Sequence, residues 1–185
     1  MEMVLEKYQV NDFLQKEDFE EGFIYELLNG TIVKRSAPNP FHQIISGKLF
    51  ELLSKHIKEK QLGIAIYAPI DVILDEENLV VPDLVFIQES RKNIITEKGI
   101  EGKPDLVVEI LSPSTARYDR GEKMKLYKKH QIPEYWIIEP KTQVVEIYAF
   151  QNGDYDLVEY AMEKGLVKSK ILQNLQFEVE SIFKT

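Results

Sequence analysis

Residues 104–115, PDLVVEILSPST, constrain this chain more than any other stretch. The Leu, Val and Ile run reads as a strand buried on both faces, yet Asp105 and Glu109 interrupt it. A carboxylate in an apolar strand costs several kcal/mol unless it is paired or holds a cation. Strand alternation places Asp105, Val107, Glu109 and Leu111 on one face. Asp105 follows Pro104 and fits a turn cap as readily as a helper role. Glu109 has apolar neighbours on both sides and is the harder to explain structurally.

Further acids extend the pattern. Asp83 follows Pro82 in LVVPDLVFI, so it sits near a strand start, an edge or a bulge. If the two strands pair, Asp83 and Glu109 converge at one end of the sheet. Two carboxylates at bonding distance repel unless they share a proton or a cation. Mg²⁺, usually held by one or two carboxylates plus water and phosphate oxygens, is the natural occupant. Glu26, in the apolar stretch IYELL, offers a third ligand or an orienting group, and reads equally well as a solvent-facing strand residue.

On the segment after Glu109, Asp119, Lys123 and Tyr127 are spaced i, i+4, i+8 and share a helix face. A lysine there can stabilise charge on bound phosphate or hold an attacking water. The plainer reading is an Asp-to-Lys helix pair. Lys125 points elsewhere, to solvent or nucleic-acid backbone. With Lys128 and Lys129 it belongs to a basic segment, residues 117–130, that carries six Lys and Arg against Asp119 and Glu122. That local charge contrasts with a net charge of −8, from 23 Lys+Arg and 31 Asp+Glu, which argues against a general nucleic-acid-coating role. His42 can approach the site from outside, while His56 and His130 lack metal-ligand spacing. With no cysteine there is no thiolate site or disulfide framework. No phosphate-cradling glycine loop, zinc pattern or serine-hydrolase elbow is present.

The expected element order is a short helix in residues 9–20, then a hairpin turning at Asn29–Gly30. A long amphipathic helix starts near Phe41, followed by several strands, and a helix capped by Asp119 and Glu122 runs to about His130. Three strands and a tail complete a mixed sheet with helices on its faces, an α/β fold. At 185 residues the chain reads as one domain spanning 1–185. It has no apolar run of membrane-spanning length and no signal-peptide pattern, which leads to the expectation of a cytoplasmic protein.

YELLNG, VVPDLVFI, PDLVVEILSPST, YDRGEKMKLYKKHQIPEYWIIEP and VVEIYAF together resemble the Uma family of restriction-endonuclease-like proteins, within the PD-(D/E)XK nuclease superfamily. The resemblance covers roughly residues 10–180. It implies a restriction-endonuclease-like core and Mg²⁺- or Mn²⁺-dependent hydrolysis of DNA, with Asp83 and Glu109 as metal ligands and Glu26 as the early accessory acid. The superfamily lysine, normally two residues after the Glu, falls here on Leu111. The resemblance moves its role to Lys123 on the following helix. A non-cleaving nucleic-acid-binding or regulatory module on the same fold is the competing expectation. The oligomeric state stays open, a homodimer being one arrangement.

Overall fold

The computed structural model describes residues 7–113 and 115–184. Helix α1 (Val10–Leu14) precedes a hairpin of β1 (Phe23–Leu28) and β2 (Thr31–Ser36). Its turn residues Asn29 and Gly30 have φ of 50° and 74°, the left-handed region that this pair tolerates. Helix α2 (Pro40–Lys60) follows, started by Asn39, whose side chain accepts the His42 N–H at 3.0 Å, and by Pro40 in the first turn. Then come β3 (Gly63–Tyr67), β4 (Val72–Asp75), β5 (Asn78–Val80) and β6 (Leu84–Gln88). Short strands β7 (Ile95–Thr96) and β8 (Gly99–Glu101) lead to β9 (Leu106–Ile110). Helix α3 (Ala116–Tyr118) passes through a π-helical turn, Asp119–Lys123, into α4 (Met124–Lys129). Strands β10 (Glu134–Glu139), β11 (Val144–Gln151), β12 (Asp154–Met162), β13 (Leu166–Lys168) and β14 (Gln176–Glu178) precede helix α5 (Glu180–Phe183).

Two six-stranded sheets result, with orders β2-β1-β5-β4-β8-β7 and β12-β11-β10-β9-β6-β3. The facing sides bury Val72, Val80 and Ile100 of the first against Val85, Val107 and Ile137 of the second, together with Leu126 and Tyr127 of α4. The outer side of the second sheet packs Leu84, Val108 and Trp136 against Leu49 and Leu53 of α2. The outer side of the first is covered by α1 through Val10 and Phe13. No helix among the described residues is long and apolar enough to cross a membrane.

The expectation of a mixed sheet flanked by helices therefore holds, but the second sheet was not anticipated. GIAIYAPIDVIL and LVVPDLVFI each read as one β-rich run, and the structure divides each between the two sheets. The breaks fall at Pro69 and Pro82, where a missing N–H cannot continue a ladder. The α3–α4 segment also starts earlier than its sequence suggests. Asp119 is no cap: it lies inside the helical segment, with its N–H bonded to the Thr115 carbonyl at 3.0 Å. The expected helix over 9–20 shortens to five residues.

Within β10, Glu134 is fully buried and accepts from Trp136 Nε1 (2.6 Å), Ser169 Oγ (2.8 Å), and the Lys170 and Ile171 N–H groups (2.6 and 3.2 Å). It fastens the chain after β13 to the centre of the second sheet. Glu134→Ala strands these donors and should cost on the order of 3 kcal/mol, read as a lower denaturation midpoint in urea. A loss below about 1 kcal/mol would contradict this anchoring role.

Candidate active site

Strands β9 and β10 run parallel, with Glu109 beside Ile137, and a parallel pair needs a crossover. The crossover is α3, the π turn and α4, which lays Lys123 and Tyr127 over the Glu109 face of the sheet. Lys123 is fully buried; its Nζ lies 2.8 Å from Glu109 Oε1, 2.8 Å from Glu26 Oε1 and 3.5 Å from Asp119 Oδ1. Tyr127 donates its hydroxyl to the same Glu109 Oε1 at 2.6 Å. The face shared by Asp119, Lys123 and Tyr127 is therefore real, and Lys125 is exposed on the other side. The π turn, a local widening often found at functional sites, sits in the middle of this group.

Glu26 comes from β1 of the other sheet. Its Oε1 accepts the Val81 N–H at 2.7 Å, and its Oε2 lies 2.9 Å from Arg35 Nε. Arg35, on β2, also donates from Nη2 to the Val81 carbonyl at 2.7 Å. Asp83 immediately precedes β6, where Leu84 pairs with Val108, so it stands one step further along, toward Glu109. Its Oδ2 accepts the Ile110 N–H at 2.6 Å and lies 3.2 Å from His42 Nε2.

The electrostatics are unbalanced. Four buried carboxylates, Glu26, Asp83, Glu109 and Asp119, face the two permanent cations Arg35 and Lys123, an excess of two negative charges when the acids are ionised and the His42 ring beside Asp83 is neutral. Burial pushes the Glu109 carboxyl up to about 8, with Lys123 opposing and Asp119 and Asp83 reinforcing the rise. Asp119 is raised as well, by burial against the pull of Lys123. Burial disfavours the Lys123 ammonium, but Glu109 and Glu26 outweigh it and hold its pKa above the ordinary lysine value. Glu109 Oε2 and both Asp119 oxygens are buried with no hydrogen-bond partner among the described residues. Glu134 is just as buried and has donors on both oxygens. The contrast separates an anchoring carboxylate from one with a coordination position to spare.

No group of three or more acids or histidines among the described residues is placed to hold a metal ion. One or two carboxylates suffice for Mg²⁺, which keeps waters and phosphate oxygens in its shell. The open oxygen of Glu109, the nearby Asp83 and the surplus charge fit such an ion. A small cavity of about 40 Å³, lined by Asp83, Ile110, Arg35, His42 and Thr115, opens beside them.

Other sequence candidates fall elsewhere. Asp105 accepts the Gln88 N–H at 2.9 Å and pairs with Arg91 at 2.7 Å, so it locks β9 to the chain after β6 rather than assisting Glu109. The basic segment is largely neutralised within the chain. Lys125 pairs with Glu122, Lys128 with Asp154, Lys129 with Asp75 and Arg120 with Glu146, at 2.6–3.2 Å. Arg35 was missed. Alternation in TIVKRS, with Val33 buried, was the available signal, because it places Arg35 on the inward face.

A family model described as "Putative restriction endonuclease", Uma2, matches residues 10–180. Two Synechocystis proteins, uncharacterized protein slr1290 and uncharacterized protein sll1609, are 27% and 26% identical. The first match covers 96% of this chain and 92% of the relative, the second 74% and 77%. A crystal structure of "a putative nuclease belonging to DUF820" from Anabaena variabilis superposes with a TM-score of 0.74 at 22% identity, covering 95% of this chain and 97% of that one. The shared fold and the match over nearly the whole chain place this protein in the Uma2 family of restriction-endonuclease-like proteins.

Proposed function

We propose that the protein is a Mg²⁺- or Mn²⁺-dependent endonuclease that hydrolyses DNA phosphodiester bonds. The observation that carries this reading is the buried cluster of four acids against two cations, with a Glu109 oxygen that has no hydrogen-bond partner among the described residues and a cavity lined by Asp83. Asp83 and Glu109 would hold the ion, with Glu26 as accessory. Such an ion polarises the phosphate and lowers the pKa of a bound water. The Ile110 N–H hydrogen bond and the His42 ring 3.2 Å away orient Asp83, while Tyr127 and Lys123 fix one oxygen of Glu109 and leave the other for coordination. Lys123 is sealed from solvent, so its share in catalysis is to set the charge and position of Glu109. Arg35 faces the cavity and is the cation placed to meet a phosphate.

One observation favours a non-cleaving binding module instead: Lys123 already supplies a cation to both Glu26 and Glu109. Nicking of supercoiled plasmid in millimolar Mn²⁺ decides between them. Activity lost in Glu109→Gln and Asp83→Asn supports the nuclease, and an inactive wild type under Mg²⁺ and Mn²⁺ supports the module.

Two further outcomes follow from the charges. Lys123→Met leaves its acids uncompensated and should cost about 3–5 kcal/mol in metal-free protein. Mn²⁺ should recover part of that loss in a thermal melt, whereas a variant as stable as wild type would contradict the cluster. In the folded chain Glu109 keeps its proton to about pH 8, against an ordinary value of 4.5. Between those limits the folded state binds more protons than the unfolded one, so stability is fully present below pH 4.5 and falls as pH rises toward 8. Metal-free wild type should therefore lose roughly 3 kcal/mol relative to Glu109→Gln between pH 5 and 8. Parallel stability profiles would show that Glu109 does not hold this proton.

A further inference from the structure

We propose that the substrate is a single strand, bound with one unpaired nucleotide seated beside the acid cluster. The inference rests on the nuclease reading and specifies what the site accepts. Two cavities meet at His42 and Ser112. The smaller holds Arg35, whose Nε and Nη2 are engaged by Glu26 and Val81 while Nη1 makes no hydrogen bond among the described residues. Its volume of about 40 Å³ accommodates a few water-sized groups, the scale of phosphate oxygens. The larger, about 540 Å³, is walled by Phe41, Pro113 and Pro140, with Asn39, Glu139 and Lys141 contributing polar groups.

Phe41 gives this arrangement its meaning. It stands in the first turn of α2 with 67% of its surface exposed, an unfavourable position for a phenyl ring in water. An aromatic face beside a phosphate-sized cavity is the combination on which unpaired bases stack, and it takes any base because every base has a π face. His42, 8% exposed, lines both cavities, and its Nδ1 is buried without a partner among the described residues. It is placed between the phosphate and the base of one nucleotide.

A paired base is stacked within its duplex and does not reach such a wall without being extruded. Duplex binding also relies on a cationic footprint, and here the crossover helix spends Arg120, Lys125, Lys128 and Lys129 on internal carboxylates, in a chain of net charge −8. A pocket that joins an aromatic wall to Arg35 and Lys141, in a chain without a broad cationic footprint, suits a single strand gripped locally.

The test is fluorescence anisotropy with labelled oligothymidylate and a duplex of equal length, using Ca²⁺ in place of Mg²⁺ to keep the strand intact. The single strand should bind at least about tenfold more tightly. Phe41→Ala should weaken single-strand binding about tenfold, Phe41→Trp should retain it, and duplex binding should move in neither. Phe41 is exposed, so both variants keep the fold. Equal or tighter duplex binding, no binding of either, or an unchanged Phe41→Ala affinity overturns the inference. Metal-dependent cleavage of duplex by the Phe41→Ala protein at wild-type rate would leave the nuclease reading standing while removing this one. Single-strand binding with the predicted Phe41 dependence but no cleavage would do the reverse.

Discussion

The ammonium of Lys123 is the constraint on which the rest of the structure depends. A lysine sealed from water is tolerated only with carboxylates around it, and its partners come from three separate parts of the chain. Glu26 arrives from the hairpin in the first sheet, Glu109 from the centre of the second, and Asp119 from the same helical segment. Meeting these demands sets where the hairpin docks and how far the crossover helix descends between the sheets. Arg35 adds a second tie from the hairpin to Val81, at the point where the chain leaves one sheet for the other.

The proposed reading of this group as a site rather than a structural knot rests on its incomplete satisfaction. Glu134 and Asp105 show how the fold treats acids used for anchoring: each oxygen finds an N–H, hydroxyl or guanidinium donor. The central cluster keeps more acid than cation, leaves Glu109 Oε2 without a partner among the described residues, and raises the Glu109 pKa to about 8, so that a proton can stand in for the missing charge. On the proposed reading a divalent ion would replace that proton, and its binding would release protons.

The sequence disclosed the cluster's members better than their surroundings. Glu109 was visible because an acid between valine and isoleucine has few structural excuses, and the i, i+4, i+8 spacing aligned Asp119, Lys123 and Tyr127 correctly. The same rule flagged Asp105, but its partner Arg91 lies in a region without periodicity, so the pairing that holds it was not legible. Glu134 escaped notice since its donors come from residues 169–171, far along the chain and mostly from the backbone. The division into two sheets was hidden for a related reason. Prolines 69 and 82 announce a break in a ladder, but nothing local says which sheet the next strand will join. Neither could charge counting reveal that the lysines of α4 are matched by Asp75, Asp154 and Glu122.

The surplus charge between Asp83 and Glu109 is the centre of the account, and a crystal soaked in Mn²⁺ and measured for anomalous scattering tests it most directly. One strong peak is expected within coordination distance of an Asp83 oxygen and of Glu109 Oε2, at about 2–2.3 Å. A fully ordered site with no peak there, or manganese bound only at Asp105 or on the surface, would contradict it.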